Sequence, residues 1–231
     1  MSDESVHTAL RSDAPLVLVE APAGCGKTHQ GADYARDVAV DRSNRLLILT
    51  HTHAACSVFA ERTRGSGSRV EIRTIDSLIA HIATAYHLGL GLPADVPTWA
   101  RRTRDGYRHV ALRVAALLKR HPMIAAALAK RYPVVICDEH QDCSGDQHAL
   151  GMAMLDQGAR LRVFADAIAA GNADCPKLAA AVVTFMNDIG KGFSPSAFGD
   201  RFEMEVREGC TARSYCATIW MRKSDNQGEN F

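Results

Sequence analysis

The sequence has no long hydrophobic run, no signal-like start and almost no net charge. The longest apolar runs are far below the roughly 20 residues that cross a bilayer, and the chain begins with the acidic stretch Met1–Glu4. Acidic and basic side chains nearly cancel, leaving a formal net charge of +1. No global field therefore indicates nucleic acid or a lipid surface as a partner, and we expect no membrane association.

The sequence also has no paired-cysteine motif. It contains seven cysteines, an odd number, and none form a Cys-x-x-Cys pair. This usage is typical of reduced thiols in a cytoplasm rather than of a disulfide framework or a zinc site. None of the ten histidines has the spacing of a metal motif with acidic partners. We expect a cytoplasmic protein whose 231 residues, 47% hydrophobic, can bury one large core.

Short apolar runs alternate with segments of helical spacing along most of the chain. This order predicts an α/β fold, with a parallel sheet covered by helices on both faces. We assign one domain to residues 1–190, a small basic helical insertion to 95–131, and an irregular or partly disordered tail to 191–231. The predicted strands are 16–19, 46–49, 70–75, 134–137 and 161–165, and the predicted helices are 27–40, 54–63, 76–88, 107–120, 123–131, 145–157 and 176–189.

A glycine-rich loop directly follows the first predicted strand. Residues Ala21–Thr28 read Ala-Pro-Ala-Gly-Cys-Gly-Lys-Thr, and the two glycines let the backbone curl so that its N–H groups point at an anion. In such a loop the lysine reaches the β- and γ-phosphates and the threonine hydroxyl binds Mg²⁺. The strict pattern has Gly where this chain has Ala21. The predicted phosphate-binding residues are Ala23, Gly24, Cys25, Gly26, Lys27 and Thr28.

An acidic motif follows the fourth predicted strand. It reads Asp138-Glu139-His140-Gln141-Asp142. A carboxylate at a strand end can support Mg²⁺, and the neighbouring Glu139 can align and deprotonate an attacking water. Gln141 can sense a γ-phosphate. The alternative is a solvated helix start, because acidic side chains favour a helix N-terminus.

Together these two motifs resemble the first and second motifs of UvrD/Rep-type superfamily 1 helicases, whose first motif often opens with Ala. Thr50–Ala55 is similar to their Thr-x-Thr-Asn-x-Ala segment, with His53 in place of Asn. Thr74–Leu78 stands where a further DNA-contacting motif is expected, and Val163–Asp166 resembles their third motif. The resemblance spans about residues 15–170.

The resemblance implies a RecA-like, P-loop ATP-binding domain in which ATP turnover drives 3′ to 5′ movement along single-stranded DNA. ATP and Mg²⁺ are the implied cofactors, with Glu139, Lys27 and Gln141 in catalytic roles and Thr28 and Asp138 at the metal. The hydroxyls implied to face the DNA backbone are those of Thr50, Thr52, Thr74 and Ser77. Short hydroxyl side chains suit contacts that carry no sequence information. The alternative for each is strand-end capping or β-propensity.

A local basic stretch supports a polyanionic partner. Nine Lys or Arg residues but only one acid, Asp105, lie between Arg101 and Arg131. A basic surface near a strand-end groove attracts nucleic acid and makes its binding salt-dependent, and Trp99 and Tyr107 are candidate stacking faces. The alternative is an amphipathic helix with solvated basic side chains, whose inward face is Val110, Val114, Leu117 and Leu118.

Three features depart from the helicase pattern. Ala165 and Ala169 replace the usual Gly and Gln of the third motif, and no Leu-Asn-x-x-Gln element precedes the loop. The residues after the third motif are too few for a second RecA-like domain, which would supply arginines to the ATP site. We expect a motor domain that depends on a second RecA-like domain or a partner chain. The alternatives are a nucleotide-dependent switch or interaction module without DNA activity, and a non-catalytic helicase remnant.

Overall fold

The structure, a computed structural model, describes residues 3–21, 24–38, 44–166, 202–211 and 214–223. These residues form seven strands and eight α-helices. The strands are β1 (Leu16–Ala21), β2 (Leu46–Thr50), β3 (Val70–Thr74), β4 (Val134–Cys137), β5 (Arg160–Asp166), β6 (Phe202–Thr211) and β7 (Ser214–Lys223). The helices are α1 (Asp3–Leu10), α2 (Lys27–Asp37), α3 (His53–Arg62), α4 (Ile75–Ala85), α5 (Val96–Arg102), α6 (Gly106–Arg120), α7 (Pro122–Arg131) and α8 (Gly145–Asp156), with 3-10 turns at Gly67–Arg69 and His140–Asp142.

The first five strands form the predicted parallel sheet, in the order β3-β2-β4-β5-β1. Their pairing register brings the carboxyl ends to one edge: Thr50 lies opposite Thr74, Leu49 opposite Cys137, and Ala21 opposite Asp166. The predicted α/β fold class is confirmed. Ligands of such sheets bind outside the carboxyl ends of the strands, so this edge is the place to look for a site.

Alternating strand residues bury two hydrophobic clusters, one on each face of the sheet. Val17, Val19 and Ile48 pack with α1, α2 and α3 on one face. Leu18 and Leu49, one residue along their strands, pack with α4 to α8 on the other face. Because side chains of a strand alternate between faces, continuous apolar runs serve both clusters. Helices therefore cover both faces, as predicted.

The basic interval holds three helices, α5 to α7. The predicted inward residues of α6 are buried in the larger cluster, so this interval shares the main core. All nine basic side chains of the interval are exposed, although Arg113 Nη1 donates hydrogen bonds to the carbonyls of Leu90 and Gly91. Trp99 is partly buried against the core, whereas Tyr107 is 43% exposed. Only Tyr107 of the two aromatic rings offers an exposed face.

Two strands lie within the range expected to be an irregular tail. β7 pairs antiparallel with β1, and β6 pairs antiparallel with β7. For residues 202–211 and 214–223 the expectation of irregular structure is wrong. The signal was the alternation of apolar and polar residues from Phe202 to Arg207, which is typical of a strand with one covered face. The predicted helix 176–189 lies outside the described residues, and α1 and α5 were not predicted.

In the described part of the chain, no helix is long and apolar enough to cross a membrane.

Arg162 is a buried cation at the centre of the sheet. It lies on β5 with no exposed surface, and its guanidinium donates to the carbonyls of Leu10, Ser12 and Ala14. The guanidinium also lies 5.7 Å from the centre of the Tyr34 ring. These contacts satisfy a charge that would be costly if buried without partners. They also fix the turn that leads from α1 into β1.

We predict that Arg162→Met lowers the free energy of unfolding by roughly 2–4 kcal/mol, because the buried carbonyls lose their donors. The matched control is Arg160→Met on the same strand. Arg160 is partly exposed and lies 3.8 Å from Asp13, so we expect a change within about 0.5 kcal/mol. Urea denaturation measures both. Equal losses in the two variants would contradict the structural role of Arg162.

Candidate functional site

The described part of the loop between β1 and α2, Gly24–Gly26, has the backbone that an anion cradle needs. Gly24 and Gly26 have φ angles of 79° and 82°, in the left-handed region that side-chain-bearing residues rarely adopt. A Cβ at either position would meet nothing within 4 Å, so the backbone conformation rather than space requires glycine. α2 begins at Lys27, and its N-cap, Gly26, provides no side-chain hydrogen bond. The first N–H groups of a helix lack intrahelical partners and favour anions.

Lys27 is buried at the end of β1. Its side chain is one of few buried polar ones in the described residues, with 6% exposure, and its Nζ donates a hydrogen bond of 2.9 Å to the carbonyl of Ala21. The ammonium is therefore held at the mouth of the loop. Phosphate is a stronger acceptor than a neutral carbonyl, because charge-assisted hydrogen bonds are about twice as strong.

Asp138 continues β4 by one residue at the same edge. Its backbone N–H donates to the carbonyl of Leu49 over 2.9 Å, and the residue is only 3% exposed. Burial, and then the charge of Glu139, raise the pKa of Asp138 to about 6. The charge of Lys27 and a hydrogen bond from the Thr28 side chain lower the pKa, but they offset only part of the rise. Lys27, Thr28 and Asp138 thus meet at one place.

This place fits a hard cation such as Mg²⁺. Among the described residues, Asp138 Oδ1 is buried without a hydrogen-bond partner, and the Thr28 hydroxyl lies beside the same carboxylate. Mg²⁺ prefers oxygen ligands and usually takes only one or two carboxylates, with phosphates and waters completing its shell. No cluster of three or more His, Cys, Asp or Glu side chains suited to a metal exists in the described ranges.

Glu139 has an unusual backbone conformation. Its φ and ψ are 51° and 44°, a left-handed conformation that costs a non-glycine residue roughly 1–3 kcal/mol. The side chain is half-buried and accepts a hydrogen bond from Gln141 Nε2. The acid pair does not begin an α-helix: a 3-10 turn follows, and α8 starts only at Gly145. The solvated-helix alternative is therefore wrong.

The four hydroxyls predicted to face DNA lie at the carboxyl ends of β2 and β3. Thr52 and Thr74 cap α3 and α4, accepting hydrogen bonds from the N–H groups of Ala55 and Ser77. Thr74 and Thr50 are buried, whereas Thr52 is exposed and Ser77 is half-buried. The capping alternative thus describes Thr52 and Thr74, and contact of any of the four with DNA stays a prediction. Ala23 and Ala169 lie outside the described residues.

Sequence reasoning missed a polar network beside the site. The network joins His51, Cys143, His140 and His148 through hydrogen-bond contacts of 2.9–3.3 Å. Burial, and then the neighbouring histidines, lower the pKa of His140 to about 3, and burial raises the pKa of the Cys143 thiol. The imidazole of His140 and the thiol of Cys143 are therefore neutral at pH 7. A second contact joins Gln147 to Asp76. The Ser144-x-x-Gln147 capping pattern indicates the start of α8 but not this contact with Asp76.

We predict that Asp138→Asn stabilises the metal-free protein at pH 8 but not at pH 4. Raising the pKa of Asp138 from 3.8 to about 6 means that its ionised form destabilises the fold by roughly 3 kcal/mol. This penalty is full above pH 6 and disappears as pH falls toward the unfolded pKa. Thermal unfolding in EDTA measures the effect, with Asp142→Asn in the same motif as matched control. An equal effect of Asp138→Asn at both pH values would contradict the assignment.

A protein-family model described as an AAA domain matches residues 3–168 of the chain. The comparison of the chain with curated proteins found no match. The matched range runs from α1 through β5 and contains the glycine-rich loop, the acid pair and the polar network. Because this range is well over half of the chain, the chain belongs to this family of nucleotide-binding P-loop domains of the AAA type, which is found in UvrD/Rep-like helicases.

Proposed function

We propose that the chain is the ATP-binding motor domain of a UvrD-like 3′–5′ DNA helicase or translocase, which couples ATP hydrolysis to single-stranded DNA binding. The observation that supports this proposal most is the meeting of Lys27, Thr28 and Asp138 at the ends of β1 and β4, with Glu139 beside them. These two strands flank β5 in the sheet. Nucleotide hydrolysis requires groups that hold the phosphates, place Mg²⁺ and orient the attacking water, and these residues are of the types that do so.

Each side chain has a defined task in this proposal. Thr28 and Asp138 hold Mg²⁺, which neutralises charge on the phosphates when it is bound. Lys27 exchanges the carbonyl of Ala21 for a phosphate oxygen. Glu139 accepts the proton of the attacking water, and Gln141, already hydrogen-bonded to Glu139, orients that carboxylate and senses the γ-phosphate. The loop N–H groups from Ala23 to Thr28 cradle the phosphates.

Single-stranded DNA is proposed to lie along the ends of β2 and β3. Thr52 and Ser77 present the more accessible hydroxyls there, and Thr50 and Thr74 shape the strand ends behind them. The exposed basic side chains of α5 to α7 add a surface that attracts phosphate. Stepping along DNA is proposed to require a second RecA-like domain or a partner chain that contributes arginines to the nucleotide site.

A second candidate is a nucleotide-dependent switch without DNA activity. It is favoured by the burial of the Thr50 and Thr74 hydroxyls, which are engaged within the chain: Thr50 Oγ1 donates to the carbonyl of Thr52, and Thr74 Oγ1 accepts from Ser77. A switch needs the phosphate site but no DNA-facing hydroxyls. Nucleotide binding is common to both candidates, so DNA binding separates them.

We predict that Lys27→Ala lowers ATP affinity at least about tenfold, since a charge-assisted phosphate contact is lost. Glu139→Gln should keep ATP affinity within about threefold and lower turnover by roughly 10²-fold or more, because the general base is lost. Fluorescent-nucleotide titration measures affinity and phosphate release measures turnover. Matched controls are Lys119→Ala and Glu61→Gln, at exposed positions of α6 and α3. Turnover in Glu139→Gln equal to that of the unmodified chain would remove Glu139 as the base.

We predict that the chain binds a single-stranded oligonucleotide with an affinity that falls at least roughly tenfold between about 50 mM and about 200 mM salt, because neutralised phosphates release counterions. Filter binding measures it, with an uncharged nucleic-acid analogue as control. ATP binding without salt-sensitive oligonucleotide binding would favour the switch.

A further inference from the structure

Two side-chain contacts tie the segment after the acid pair to the neighbouring strand ends. In the first, His51 Nε2 lies 3.2 Å from Cys143 Sγ. In the second, Gln147 Nε2 donates a 2.7 Å hydrogen bond to Asp76 Oδ1. We name them the His51 bridge and the Asp76 bridge. They span 92 and 71 residues of sequence, so they connect parts of the site that local structure does not join.

The segment that carries both bridges is firmly connected to Glu139. Within the 3-10 turn, Asp142 N–H donates to the carbonyl of Glu139, and Cys143 N–H donates to that of His140. Cys143 Sγ also lies 3.3 Å from His140 Nδ1. A movement of Glu139 and Gln141 around a γ-phosphate would therefore displace Cys143, because few unconstrained bonds separate them. The left-handed backbone of Glu139 is a strained conformation that such a movement can relieve.

The far ends of the bridges lie next to the hydroxyls proposed to contact DNA. His51 stands between Thr50 and Thr52, and Asp76 stands directly before Ser77 in the first turn of α4. The Asp76 bridge therefore meets the helix that Thr74 caps. A displacement of Gln147 would move this helix start relative to β2 and β4.

The Asp76 bridge is separable from the local structure of α8. Gln147 Oε1 accepts from Ser144 N–H and Ser144 Oγ accepts from Gln147 N–H, which together form a capping box. Glutamate serves such a box as well as glutamine. Gln147 Nε2 is thus not needed to start α8, so its hydrogen bond to Asp76 can be removed without loss of the capping box.

We propose that Gln147 and Asp76, together with the His51–Cys143 contact, are positioning residues that link occupancy of the phosphate site to the affinity of the β2–β3 edge for single-stranded DNA. This inference rests on the proposed function and adds the route of its regulation. By thermodynamic linkage, the bound nucleotide changes DNA affinity by the same factor by which DNA changes nucleotide affinity. Couplings of this kind are typically about 5- to 150-fold.

The test variant is Gln147→Glu, which keeps the capping acceptor but replaces the donor to Asp76 with a second carboxylate. The rescuing variant combines Gln147→Glu with Asp76→Asn. In this double variant the amide at position 76 donates to the carboxylate at position 147, and the original net charge is restored. Gln157→Glu, at the exposed other end of α8, controls for the added charge. Cys143→Ala removes the His51 bridge without adding charge and serves as a second, independent variant.

The measurement is the dissociation constant of a fluorescein-labelled single-stranded oligonucleotide, with and without Mg²⁺ and a non-hydrolysable ATP analogue, at one salt concentration. The affinity of the analogue alone is measured separately. For the unmodified chain we expect the two dissociation constants to differ about fivefold or more. In Gln147→Glu the ratio falls to within about twofold of one, while the affinity for the analogue alone and the affinity for the oligonucleotide alone change little. Rescue restores the ratio, Gln157→Glu leaves it unchanged, and Cys143→Ala reduces it.

Contrary outcomes distinguish this inference from the proposed function. If the unmodified chain binds both ligands with a ratio of one, or if Gln147→Glu keeps the full ratio, the bridges do not couple the sites, whereas the binding of nucleotide and of oligonucleotide, on which the proposed function rests, is retained. A ratio that the double variant fails to restore likewise overturns the role of the Asp76 bridge. If the unmodified chain binds no nucleotide, or no oligonucleotide, the proposed function fails and this inference fails with it.

Discussion

The site depends on one constraint, the common direction of five strands. Because β1 to β5 run parallel and in register, their carboxyl ends reach the same edge, where Ala21 lies opposite Asp166 and Leu49 opposite Cys137. Residues that are more than a hundred positions apart in sequence, such as Thr28 and Asp138, become neighbours for this reason alone. Burial of both faces of the sheet maintains that register, because a shift of one strand by one residue would move its side chains from one apolar cluster to the opposite face.

Two buried charged groups lie at this edge, and a bound ligand can replace their present contacts. Lys27 is satisfied by a backbone carbonyl, and Asp138 has a raised pKa and one buried oxygen without a partner among the described residues. Water cannot easily solvate either group because both are nearly inaccessible. A phosphate bound with a divalent cation supplies a charged acceptor for the ammonium and a divalent partner for the carboxylate. Burial therefore penalises the ionised site without a ligand and favours the binding of a phosphate together with a divalent cation.

The parts that could be predicted from the sequence are those governed by local pattern. Continuous apolar runs predicted five strands, and the glycines and lysine of the loop predicted an anion cradle, because each depends on nearby residues. β6 could be predicted from the alternation of apolar and polar residues from Phe202 to Arg207, whereas β7 has no such alternation and α5 is too short for a clear period. From the sequence alone, Arg162 is expected at the surface. Only the folded turn before β1 places backbone carbonyls around its guanidinium. The Gln147–Asp76 contact arises only when the sheet and helices pack together, so no local sequence pattern predicts it.

We propose above all that the loop and the acid pair form one Mg²⁺–nucleotide site. A crystal structure of the chain with Mg²⁺ and a non-hydrolysable ATP analogue tests it most directly. We expect that Lys27 Nζ leaves the carbonyl of Ala21 for a phosphate oxygen, and that the cation contacts the Thr28 hydroxyl with Asp138 beside it. An analogue bound elsewhere, or a Lys27 that remains on the carbonyl of Ala21 in the bound state, would contradict the account.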